Sequence, residues 1–441
     1  MELINEFMPL IMFTAVFGLL LLGYPVAFTI GGVSLFFGLW GFGPQFFNLI
    51  PLRVWGIMKN FALMAVPLFI YMGVMLEKSG LAKELLEAMA LLFSKIRGGL
   101  AVSVIFVGAI MGASTGIVGA TVVTMGLLSV PTMLKNRYNK SLTTGTVAAS
   151  GTLGQIIPPS IVLVLLGDIM HIPIGDLFIA TIIPGLILVG LYMLYIFIIA
   201  RIMPEWAPPI DQEFLDQFSR KELIIKIAKA LLPILFLMIA VLGSIFAGIA
   251  SPTEAASVGA VGATLLTIMY KRFNLRILTE VMMTTTKLTC MVFIILIGAT
   301  TLGLVFRGLN GDDLVRGLIT SLPFGTFGIL FIVMSIIFIA GFFLDFIEII
   351  FIHVPVLAPI MVGMGVDPLW LAVLIAVNLQ TSFLTPPFGF SLFYLKGVTP
   401  REIETMDIYK GIIPFVIIQI IGLLIICIFP ETVTWLPTKL Y

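Results

Sequence analysis

Charge is scarce in this chain. Lysine and arginine number 24, aspartate and glutamate 23, and the formal net charge over 441 residues is +1. That balance excludes the basic surface needed to neutralise a nucleic-acid backbone. Cysteine is scarcer still: Cys290 and Cys427 both sit in apolar runs, which excludes a disulfide framework and a cysteine-rich metal cluster. The two histidines, His171 and His353, lie far apart and read as interface residues, no HExxH run occurs, and no serine and histidine stand paired as nucleophile and base. An intramembrane enzyme is therefore a remote alternative. No polar stretch is long enough for a separate globular domain. A basic leader is also missing: the first apolar run opens with Glu2 and Glu6 and continues past Gly23 into a second, so no cleavable signal is expected.

What is abundant is apolar length. Hydrophobic residues make up 60% of the chain and mean hydropathy is +1.18. Runs repeatedly exceed the roughly 20 residues that cross a bilayer as a helix, so the chain reads as an all-α polytopic membrane protein. Crossings are expected at about 5–23, 25–47, 60–77, 142–170, 176–202, 231–250, 252–270, 288–306, 369–395 and 411–429. The stretches 99–134 and 324–362 are too long for one ordinary span, and each carries a small or polar break near its centre, MGASTG and AGFFLDFIE. These read as re-entrant hairpins. Amphipathic interface arms are expected at 80–97 and near 274–289.

Two proline pairs lie deep in apolar runs: Pro158-Pro159 in SGTLGQIIPPS and Pro386-Pro387 in NLQTSFLTPPFG. Proline deletes a backbone donor and clashes with the preceding turn, so each pair should unwind its helix and free polar backbone that must face protein or a watery cavity. The pairs are 228 residues apart, and four other anchors (Pro25 and Pro252, Pro131 and Pro359, Gly112 and Gly341, Pro204-Glu205 and Pro430-Glu431) recur at offsets of 226 to 229. The chain is thus read as a first repeat over 1–205, a cytoplasmic connector over 206–230 and a second repeat over 231–441. Five crossings per half turn the second copy upside down. An inverted repeat with matching helix breaks points to the binding site of a secondary transporter. The charge bias agrees: with both termini periplasmic, eighteen of the 24 lysines and arginines fall inside.

From Pro67 in LMAVPLFIYMG through GASTGIVGAT, SGTLGQIIPPS, SPTEAASVGA and GFFLDFIEII to LTPPFGFSLF, the chain resembles the large membrane subunit, of DctM type, of the tripartite ATP-independent periplasmic (TRAP) transporters. The resemblance implies an ion-transporter-like, elevator-type fold in a bacterial inner membrane. It implies a small organic acid as cargo and a sodium gradient as the drive, with sodium as coupling ion and no other cofactor. It also implies two partners besides membrane lipid: a periplasmic substrate-binding protein (DctP type) and a small four-helix membrane subunit (DctQ type). Because the chain opens at the first large-subunit helix, that subunit is expected as a separate polypeptide. A stand-alone sodium- or proton-coupled carboxylate symporter is the main alternative.

A sodium site inside a membrane needs several oxygens of modest field strength, which unwound carbonyls and hydroxyls provide. One candidate site combines the hairpin tip Gly112, Ser114, Thr115 and Gly116 with Ser150, Gly151 and Thr152 before the first proline pair. The other combines Gly341 and Asp345 with Thr381 and Thr385 before the second. Substrate is expected between the tips, with Ser114, Thr115, Pro158, Pro159, Asp345, Pro386 and Pro387 as site or gating residues. No arginine lies in either break, as suits a carrier that must release its cargo. Glu348 reads as a residue that orders the loop, and Glu254 as a helix cap with Thr253.

Overall fold

The computed structural model describes residues 7–209, 220–387 and 389–440, and those residues form 21 α-helices and no strand. Helices are the expected outcome: inside a bilayer, backbone groups without internal partners cost several kcal/mol each, and a helix pairs all but its ends.

In the first half, α1 (Met8–Leu21) and α2 (Val26–Phe42) lead into a short helix, α3 (Ile50–Met58), and then α4 (Ala65–Lys78). The segments Pro44–Met58 and Ala62–Lys78 meet at 60°. Helix α3 is thus an arm that the apolar run PLRVWGIM concealed; it exposes Leu52, Trp55 and Met58. Helix α5 (Leu81–Leu92) is bracketed by Gly80 and Gly98, both at positive φ. It buries Leu81, Leu85, Leu86 and Met89, while Glu84 and Glu87 point the other way and pair with Arg272 and Lys226.

Helices α6 (Gly99–Thr115) and α7 (Val118–Lys135) form a tight hairpin that reverses at Gly116 (φ 62°) and Ile117. At its mouth the hydroxyl of Tyr138 accepts from the Leu100 amide at 3.3 Å, and burial pushes that hydroxyl's pKa up to about 12, so it stays neutral. Next come α8 (Lys140–Thr152), a single turn over Leu153–Gln155, the proline pair, α9 (Ile161–Met170) and the long α10 (Ile174–Ile202).

The second half opens with α11 (Arg220–Phe246), α12 (Pro252–Met269) and α13 (Leu275–Gly308). Helix α11 takes in the last part of the expected connector, whose residues 210–219 lie outside the described residues. The arm expected near 274–289 is not separate: it is the first half of α13, a continuous helix of 34 residues. Its first glycine is Gly298 and it holds no proline, so nothing in the sequence breaks it.

After α14 (Gly311–Thr320), a second hairpin runs from α15 (Thr326–Ala340) through a turn at 341–345 to α16 (Phe346–Ile352) and α17 (Val354–Gly363), the last two bent by 54°. Then come α18 (Pro368–Leu384), the second proline pair, α19 (Phe390–Val398), α20 (Thr405–Ile428) and α21 (Glu431–Leu440). Hairpin, broken helix and long helix therefore follow in the same order in both halves. Both proline pairs contain a cis bond.

One side of the molecule packs α2 along α13 and α12 along α4. A separate small core of Met12, Val16, Ile30, Phe37, Val305 and Phe306 holds α1, α2 and α13 together. The main core centres on the hairpins and broken helices; most of α8 and α18 is buried, so they read as central helices walled by the rest. At the N-terminus of α12, Glu254 does cap, but its partner is Ser251; Thr253 instead donates to the Phe61 carbonyl at 3.0 Å.

Candidate functional site

Glycine brings the first hairpin onto the first break. A Cβ on Gly154 would lie 2.5 Å from Gly112 Cα, and one on Gly112 would lie 2.7 Å from Gly154 Cα and N. Backbone therefore touches backbone at this point, a contact no larger residue permits. One turn earlier Gly108 faces Ser150, and Gly151 rests on Val122 of α7. From outside the hairpin, Gly73 of α4 presses on its turn: a Cβ there would lie 2.6 Å from the Ser114 carbonyl oxygen. Gly112, Ser114, Thr115, Gly116, Ser150, Gly151 and Thr152 are thus assembled in one buried region.

The hydroxyls of that region spend their protons locally. Ser114 donates to Met111 O at 2.8 Å, Ser150 to Val147 O at 2.9 Å and Thr152 to Ala149 O at 2.9 Å. Thr115 and Thr121 share a hydrogen bond of 2.7 Å. A hydroxyl that donates to its own helix keeps lone pairs to accept or to coordinate, so these groups offer oxygen to a cation without a fixed charge. Gln155 was missed by the sequence reading. It is fully buried in the turn after α8, and neither amide atom meets a partner among the described residues. Its own carbonyl accepts from Ser160 at 2.7 Å, across Pro158-Pro159.

The second region repeats the chemistry with other residues. A Cβ on Gly341 would collide with the Ser382 side chain, its Cβ lying 2.6 Å away. Ser382 was also missed, because its contact is across the fold and sequence spacing does not show it. Thr381 donates to Val377 O, Ser382 to Leu379 O and Thr385 to Thr381 O, each at 2.8 Å. Asn378 ties α18 to α15 through the Met334 carbonyl at 2.8 Å.

Asp345 is the N-cap of α16. Its Oδ1 accepts from Phe346 N at 2.9 Å, and Glu348 Oε2 accepts from Asp345 N at 3.1 Å, a reciprocal capping box. Glu348 orders the loop, as read from the sequence. Tyr394 on α19 lies within electrostatic reach of both carboxylates, and its ring would sit 3.1 Å from a Cβ on Gly119 of α7. It therefore stands between the two hairpins, a placement that no spacing in the chain reveals.

A cavity of about 1020 Å³ lies elsewhere. Arg53, Asp168, His171, Arg307, Asp312 and Arg316 line it, at the end of the molecule away from the mouth of the first hairpin, and none of the hairpin-turn residues reaches it. Inside it Asn60 donates to Asp168 at 2.6 Å and Arg307 faces Asp312 at 3.7 Å. His353 is not at an interface; it is buried against the ring of Phe17. Among the described residues no three histidine, cysteine or carboxylate side chains cluster as metal ligands.

Comparison with known proteins gives a consistent picture. Residues 13–432 match the family model described as tripartite ATP-independent periplasmic transporter, DctM component. The C4-dicarboxylate TRAP transporter large permease protein DctM of Pseudomonas aeruginosa is 30% identical over 90% of this chain and 91% of its own. The ectoine TRAP transporter large permease protein TeaC of Halomonas elongata is 30% identical over 97% and 99%. The sialic acid TRAP transporter large permease protein SiaM of Vibrio cholerae is 27% identical over 95% and 96%. Among solved structures, the Alcanivorax borkumensis YdaH transporter shares the fold, with a TM-score of 0.62 at 14% identity, covering 88% of this chain and 89% of that one.

Proposed function

Because the chain belongs to the DctM component family of tripartite ATP-independent periplasmic transporters, we propose that it imports a small organic acid, coupled to a sodium gradient, by an elevator movement. Its relatives are named permeases of a transporter, and the chain is a multi-pass transport protein, not an enzyme. The observation that carries the proposal is the seat of Gly112 on Gly154, which places the hydroxyls of a hairpin turn beside a helix that has come undone. Cation sites of this kind need no carboxylate, and they release their ion readily.

Each sodium ion entering down a potential of 100 mV supplies about 2.3 kcal/mol. To spend that on cargo, ion and acid must share one moving body. The two hairpins with α8, α9, α18 and α19 are the candidate body, and α1 to α4 with α11 to α13 the static frame. Gly73 supports the division: where a frame helix meets the first hairpin turn it carries no side chain to interlock. Substrate is assigned to the space between the turns, with Tyr394 as a contact beyond the residues read from the sequence. The halves are proposed to be inverted copies, with both termini periplasmic and the protein in the inner membrane. A periplasmic binding protein delivers the acid, and a small four-helix subunit enlarges the frame. The relatives' cargoes, C4-dicarboxylates, ectoine and sialic acid, set the size and polarity expected.

Thr152→Ala and Thr385→Ala test the ion sites. Each removes one oxygen while leaving the backbone intact, so the sodium concentration for half-maximal uptake should rise several-fold in at least one of them. Sodium activation unchanged in both would remove these side chains from the sites.

A further inference from the structure

A second cavity, of about 520 Å³, lies at the joint between α5 and the pair α11 and α12, far from the hairpin turns. Its lining includes Lys83, Lys226, Lys229 and Arg272, against which stand Glu84 and Glu87. Arg272 pairs with Glu84 at 2.6 Å and Lys226 with Glu87 at 3.4 Å. Lys83 and Lys229 have no acidic partner among the described residues. Tyr270, whose hydroxyl donates to the Lys229 carbonyl, closes the group. Two ammonium groups facing one concavity repel each other unless an anion joins them.

The surroundings select the kind of anion. On either side of the cavity the surface is apolar and open: Ile224 and Leu232 on α11, Met269 at the end of α12 and Leu275 at the start of α13 are all exposed. Basic groups at the end of apolar helices sit at headgroup depth, where the acyl chains of a lipid run along such faces. A free inorganic anion would satisfy the lysines and leave the apolar flanks unused. We infer that this cavity holds the phosphate of an anionic membrane lipid, with Lys83 and Lys229 as its ligands, and that the lipid clamps the arm α5 to α11 and α12. Helix α5 also packs on α6, so the clamp fixes the point from which the first hairpin hangs.

The test is thermal unfolding of the purified full-length chain in neutral detergent, with added phosphatidylglycerol, phosphatidylcholine or inorganic phosphate. Binding to the folded state alone raises stability with ligand concentration. Phosphatidylglycerol should raise the midpoint by several degrees, phosphatidylcholine should not, and the double variant Lys83→Gln with Lys229→Gln should lose the increment while keeping the unliganded midpoint. Arginine at both positions should restore it. An equal increment in the glutamine variant would overturn the site. An equal increment from inorganic phosphate would overturn the lipid as its occupant.

Discussion

Gly154→Ala is expected to abolish uptake and to lower the unfolding midpoint, although it adds a single methyl group. The added carbon would lie 2.5 Å from Gly112 Cα, and atoms on both sides are backbone, so no side chain can swing away. Overpacking a tight interior costs about 1–3 kcal/mol. Here relief also requires the hairpin turn to lift from the broken helix, which disperses the oxygens gathered there. Gly112→Ala should fail in the same way. Gly190→Ala on α10 is the control: no atom lies within 4 Å of its added Cβ, so alanine should be neutral there. Transport assays and thermal unfolding of the three variants read the difference; wild-type uptake in Gly154→Ala would show that the contact opens freely and plays no part in the cycle.

Asp345→Asn should reduce uptake by at least about tenfold, a loss equivalent to about 1.4 kcal/mol in the rate-limiting step, without loss of folded protein. Asparagine caps a helix as well as aspartate does, so the bond to Phe346 N survives while the charge goes. Asp345→Ala removes both, and should lose stability as well. Comparison of the two separates a carboxylate that serves ion or gate from one that only starts α16. Uptake at the wild-type level in Asp345→Asn, with Asp345→Ala impaired, would leave the capping box as the whole role.

The breaks and turns were legible in the chain because proline and glycine announce them locally. Pro158-Pro159, Pro386-Pro387, Gly116 and the Gly341 to Asp345 turn all fall where helices stop. The two arms were harder, for opposite reasons. Helix α3 falls between the crossings expected at 25–47 and 60–77, where the apolar residues of PLRVWGIM gave no sign of a separate arm; the 60° bend to the next helix reveals it. In α13 the run NLRILTEVMMTTTKLT reads as a separate arm. It holds neither glycine nor proline, so nothing in it stops the helix, which continues unbroken into the apolar half. The candidate site is read in the sequence as two sets of hydroxyls flanking breaks. What stayed hidden depends on contacts across the fold: Ser382 under Gly341, Gln155 buried without a partner among the described residues, and Tyr394 between the hairpins. Asp345 and Glu348 show a further limit. Their D-x-x-E spacing is that of a capping box, and a carboxylate in an apolar run drew the reading to function before capping was considered.

The central claim is that this chain is the sodium-driven membrane subunit of a three-part importer. The measurement that tests it most directly is uptake into proteoliposomes containing the chain and the four-helix subunit, under an inward sodium gradient, with and without the periplasmic binding protein. Accumulation that requires the sodium gradient, the small subunit and the binding protein together is the expected result. Full uptake by the chain alone with sodium would contradict the tripartite reading in favour of a stand-alone symporter, and uptake indifferent to sodium would contradict the coupling.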